Sequence, residues 1–154
     1  MKKSIIRALA VLSLMASVSV MAVNAQSPDR INFEAPFSFT VGGKTLPAGK
    51  YSIQRLRYDN ADILLIRSAD NRGVVNFRVT KKQYNDEPDT CKLIFNRYGD
   101  TNFLKQIQYN YSNVGYELPK SSSEREMIKK ARANKDNLSS AEVGTIELVA
   151  SIGR

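Results

Sequence analysis

Ile31-Asn32-Phe33-Glu34-Ala35-Pro36-Phe37-Ser38-Phe39-Thr40-Val41 carries an apolar side chain at every odd position, with Asn32, Glu34, Ser38 and Thr40 between them. A period of two sends successive side chains to opposite faces, the pattern of a strand with one buried side. Pro36 has no N–H to give to a ladder, so the run must bend there or lie at a sheet edge. Beyond it, Leu46-Pro47-Ala48-Gly49 suits a type I turn, with proline second and glycine fourth. That turn launches Lys50–Arg57, where Tyr51 and Ile53 share a face.

The same rhythm continues downstream. Ile63–Arg67 holds four consecutive apolar residues, as expected of a strand covered on both sides, and Asp70-Asn71-Arg72-Gly73 is a turn. Val75, Phe77 and Val79 point one way, while Asn76 and Arg78 point the other. Residues 81–90, polar and containing Pro88, read as a solvated loop. Cys91–Tyr98 and Phe103–Tyr109 then flank a hairpin connection at Gly99-Asp100-Thr101-Asn102. Short strands at this spacing predict a mainly β domain, an antiparallel meander closing into a small barrel or a sandwich.

After Leu118-Pro119 the pattern changes. Ser121 with Glu124, and Ser123 with Glu126, form two overlapping capping boxes, predicting one α-helix over about 122–134. Lys129, Lys130 and Arg132 near its end complement the helix dipole. Its apolar stripe is thin (Met127, Ile128 and Ala131), so it should rest against the β-domain. A last strand over about 142–152, with Ile146, Leu148, Ala150 and Ile152 on one face, is placed to pair beside the first strand.

Upstream of the strands, residues 1–25 have the three parts of a cleavable signal peptide. Lys2, Lys3 and Arg7 are basic, Ala8–Val23 is uncharged, and Val23-Asn24-Ala25 is a small-x-small cleavage site. Processing would leave residues 26–154 as a single β-rich domain with no transmembrane segment. It would remove three of the 23 basic residues and none of the 15 acidic ones, leaving 20 against 15 and a net charge of +5. Such an exported chain, periplasmic or extracellular, meets anionic lipid, polysaccharide or other envelope proteins, not nucleic acid. Cys91 is the only cysteine, so no internal disulfide can form. Its parity with Leu93 and Phe95 places it in the core; pairing between chains is the other reading.

The chemical inventory is sparse. The chain contains no histidine, which removes the usual general base and imidazole zinc sites. No phosphate loop, dinucleotide fingerprint or EF-hand loop is present. Asp86, Glu87 and Asp89 cluster in one loop without calcium-site spacing, and Asp59, Asp62, Asp70 and Asp100 fall in expected turns. These residues give no catalytic, cofactor-binding or metal site. Tyr98, Phe103, Tyr109, Tyr111 and Tyr116, interleaved with amides, are the candidate contact surface, able to stack on sugars or meet a protein. The alternative is that they cover the sheet.

Three motifs occur in order along the chain: Val41-Gly42-x-Lys44-x-Leu46-Pro47-Ala48-Gly49-Lys50-Tyr51, then Arg97-Tyr98-Gly99-Asp100-x-x-Phe103-Leu104, then Glu117-Leu118-Pro119-x-Ser121 with Glu124. Together they resemble a group of small exported proteins of environmental Gram-negative bacteria. The resemblance implies a signal peptide and a compact β-domain, and it brings no activity, cofactor or site residue with it. The expected function is therefore a non-catalytic envelope or extracellular module. Such a module would hold a small apolar ligand inside a barrel, or touch polysaccharide or another envelope protein. The alternatives are a carboxylate-dependent glycan hydrolase and a subunit of an assembled surface structure.

Overall fold

Pro36 ends the first strand, and the chain bends over 36–38 before the alternation resumes. The computed structural model describes residues 30–57, 60–133 and 143–153. The expected signal peptide at 1–25 and Asp59 lie outside the described residues. The strands are β1 (Ile31–Ala35), β2 (Phe39–Val41), β3 (Lys44–Leu46), β4 (Gly49–Arg57), β5 (Asn60–Ser68) and β6 (Val74–Arg78). They continue with β7 (Thr80–Gln83), β8 (Cys91–Tyr98), β9 (Thr101–Gln108) and β10 (Val114–Glu117). Helix α1 (Ser122–Ala133) and β11 (Val143–Ile152) complete the chain.

Antiparallel pairings run β6-β5-β4-β1-β11-β8-β9-β10-β7. Because β7 follows β6 across Val79, this path returns to its start and the sheet nearly closes into a barrel. The first and last strands meet, with Ile31 opposite Ile152 and Asn32 opposite Ser151. One pairing departs from the expected meander: β2 runs parallel to β9 at Phe39↔Asn102 and Thr40↔Phe103. The second half of that same β9 edge carries β10.

Inside, the predicted faces hold. Ile31, Phe33, Ala35, Tyr51, Ile53, Val75, Phe77, Cys91, Leu93 and Phe95 are all buried, as are Leu64, Leu65 and Ile66 in succession. Phe39 lies edge-on to both Tyr51 and Phe95, with centroids 5.2 and 5.5 Å apart, and Phe33 stacks on Tyr51 at 5.7 Å. Each such side chain contributes about 1.5–3 kcal/mol by leaving water, so this aromatic cluster anchors the barrel.

Two segments correct the sequence reading. Lys81–Gln83, expected within a loop, belong with Thr80 to strand β7, whose four residues are all exposed. Its ladder to β10, not burial, holds it, so no apolar rhythm marks it. Asp62 lies within β5, not in a turn. The β8–β9 hairpin is also tighter than expected, since Tyr98 pairs with Thr101 around Gly99-Asp100. Gly99 has φ 59°, the left-handed value a type II′ turn requires at its first central residue.

Candidate functional site

A concavity grows out of the meeting of β1 and β11. Among the described residues these strands pair at 31/152 and 32/151, with the Gly153 N–H donating to the Arg30 carbonyl at 2.7 Å just outside, whereas β1 pairs with β4 along its whole length. Past Asn32, β1 therefore follows β4 while β11 follows β8, and a seam opens between them. At its narrow end lies a groove of about 600 Å³, lined by Arg30, Asn32, Glu34, Lys50, Ser52 and Ser151 among others. A second groove of about 670 Å³ runs beside the Leu46–Gly49 turn, bordered by Thr45, Asp70 and Arg72. Lys50, Tyr51 and Ala69 line both, so the two lie side by side.

Local bonding keeps this surface rigid. The Tyr51 hydroxyl donates to the Pro47 carbonyl at 2.6 Å, tying the turn to the core. The Ala69 N–H donates to the Lys50 carbonyl at 2.8 Å. In the turn after β5, Ser68 Oγ donates to Asp70 Oδ1 and accepts from the Gly73 N–H, while Asn71 takes φ 58°. Arg30 reaches Gln54 Oε1 at 3.0 Å.

Asp70 is the carboxyl whose surroundings are best defined here. The Ser68 hydroxyl and the Arg72 N–H hold the Asp70 carboxyl below the ordinary carboxylate range. Glu34 and Lys50 are exposed on the groove rim, presenting one acid and one base to an incoming ligand. The rings of Phe33 and Tyr51 are buried in the floor and offer no free face for stacking.

The structure does not gather the five expected aromatic contact residues into one exposed patch. Tyr98, Phe103 and Tyr116 are buried, and Tyr109 is half-buried. Only Tyr111, 74 % exposed at φ 51°, stands in solvent. Tyr98 packs edge-on against Phe103, and Tyr109 against Tyr116, each at 5.8 Å. The causes differ: Tyr116 belongs to the barrel core with Tyr109 packed against it, while Tyr98 lies under α1, its hydroxyl bonded to Glu124.

Glu124 shows how the helix docks. Its N–H donates to Ser121 Oγ at 3.1 Å, one half of the expected capping box. Its carboxylate turns inward instead of back to Ser121, accepting from Asn96 Nδ2 at 2.9 Å and Tyr98 Oη at 3.3 Å. The second box is not formed: Ser123 Oγ bonds Ser121 Oγ. Asp86, Glu87 and Asp89 are exposed, and among the described residues no three His, Cys, Asp or Glu converge as a metal site.

Sequence reasoning missed the groove because its lining comes from four separated segments, around residues 30–34, 45–52, 68–73 and 149–151. Only the β1–β11 pairing brings the first and last together. Comparison with protein-family models, with curated proteins and with solved structures finds no match.

Proposed function

We propose that the processed chain is a non-catalytic envelope or extracellular module that holds a partner in the paired grooves around Lys50 and Tyr51. The observation that carries this reading is the contrast between outside and inside. The barrel axis is filled by Phe33, Phe39, Tyr51 and Phe95, whereas the outer groove is open and rimmed by Arg30, Glu34, Lys50 and Arg72. A ligand of any size sits on the outer surface, not within the barrel. Mixed charge and hydroxyls on a rigid rim fit a hydrogen-bonding polymer, and envelope polysaccharide is the partner class of choice.

The test uses the processed protein and isolated envelope polysaccharide. Binding that Lys50→Glu weakens about tenfold or more, with no release of reducing ends, supports the reading. Hydrolysis of the polysaccharide would replace it with the glycan-hydrolase alternative. Sequencing of exported material should begin at Gln26; retention of residues 1–25 counts against export processing.

A further inference from the structure

The open edge of β11 carries a second consequence, next to the groove that Val149 also lines. On β8 the inward residues Leu93 and Phe95 are completely buried. Their ladder partners on β11, Leu148 and Ile146, are only half-buried. β8 has neighbours on both sides, while among the described residues β11 before Ser151 pairs with β8 alone. Among the described residues, no strand pairs with the other edge of β11 over Gly144–Val149. That is about 20 Å of strand at roughly 3.3 Å per residue.

Proteins normally blunt such edges with proline, lysine or a bulge. Gly144-Thr145-Ile146-Glu147-Leu148-Val149 has none of these, and its one charge, Glu147, already lies 3.5 Å from Lys92. A charged peptide therefore finds little there to recognise it. An edge with a single charge and apolar residues on its inward face is instead complementary to itself in a register that keeps that charge from meeting its own copy.

We propose that this edge pairs with the same edge of a second copy, antiparallel about a two-fold axis. Residues opposite one another must share a face, so the axis passes through a residue facing itself. Centring on Glu147 sets two carboxylates directly opposite. Centring on Leu148 pairs residue 145 with 151, a position β1 already occupies through Asn32↔Ser151. Centring on Ile146 avoids both conflicts. It sets Ile146 against Ile146, Gly144 against Leu148, and Thr145 against Glu147 twice.

This register makes opposed predictions for one exposed position. Thr145→Lys brings a cation opposite the copy's Glu147, and Thr145→Glu brings an anion there. Opposite pairs across strands differ from like pairs enough, counted twice by symmetry, for an expected change of about tenfold in each direction. In sedimentation of the purified protein, the wild type should dimerise, Thr145→Lys should tighten the dimer, and Thr145→Glu should loosen it. Raising salt should shrink both effects. Under mild oxidation Ile146→Cys should cross-link between copies in preference to Leu148→Cys. A wild type that stays monomeric at hundreds of micromolar overturns the proposal. So do two Thr145 variants that shift the same way, or preferential cross-linking through Leu148→Cys.

Discussion

Burial pushes the Cys91 thiol up to about 11, so almost none is thiolate near neutral pH. The native protein should therefore resist thiol reagents at pH 7.5 and react with one equivalent once unfolded; rapid native labelling would contradict this burial. Glu124 is the other decisive residue. Removing its carboxylate by Glu124→Ala leaves Asn96 Nδ2 and Tyr98 Oη without the acceptor they share. The expected loss is about 1–3 kcal/mol, read as a lower urea midpoint. Glu124→Gln keeps a carbonyl acceptor and should cost less; equal losses would assign the effect to packing alone. Strand parity made Cys91 legible in advance. Glu124 was legible only as a capping residue, because sequence spacing reports its helix and not the hairpin beneath it.

The elements differ in how much their own residues specify them. β1, β6 and β8 bury alternate side chains and β11 half-buries them, and each could be read directly from its rhythm. β7 and β10 could not: β7 is exposed throughout and held by its ladder to β10, and β10 is only four residues long, too short to show a rhythm. The closure they form passes through Gly115. A Cβ there would collide with the Ile107 carbonyl across the β9–β10 ladder and press on the Tyr84 ring at 3.0 Å. Both obstacles lie in or against strand backbone, so Gly115→Ala should force β10 outward and cost about 1–3 kcal/mol. Gly144 in β11 is a matched control, because its nearest neighbour is Arg97 Cβ at 4.0 Å. Gly144→Ala should be neutral or slightly stabilising by thermal melt. If both variants melt alike, the tight approach at Gly115 does not limit the barrel.

At the scale of the whole molecule, a period of two was enough to foresee a β-barrel or sandwich with its ends joined. It could not foresee where that joining fails. The seam exists because β1 and β11 part after two pairs, a matter of which neighbour each strand follows. The same closed core makes the protein sensitive to base. Burial, helped by Asp70, Glu117 and Glu124 respectively, raises the Tyr51, Tyr84 and Tyr98 hydroxyls above their ordinary value of 10.0, Tyr84 to about 12. Cys91 rises likewise from 9.0 to about 11. These groups are neutral when protonated, so between the unfolded and folded values the folded chain holds more protons than the unfolded one. Stability must then fall with rising pH. Their contribution is intact below pH 9, where the unfolded thiol begins to titrate, and is lost by about pH 12. Urea midpoints should decline from pH 8 through 10 to 11. Tyr84→Phe should flatten part of that decline without cost at pH 8, because the Tyr84 hydroxyl is buried with no hydrogen-bond partner. A midpoint constant across this range would mean that water reaches these groups in the folded barrel.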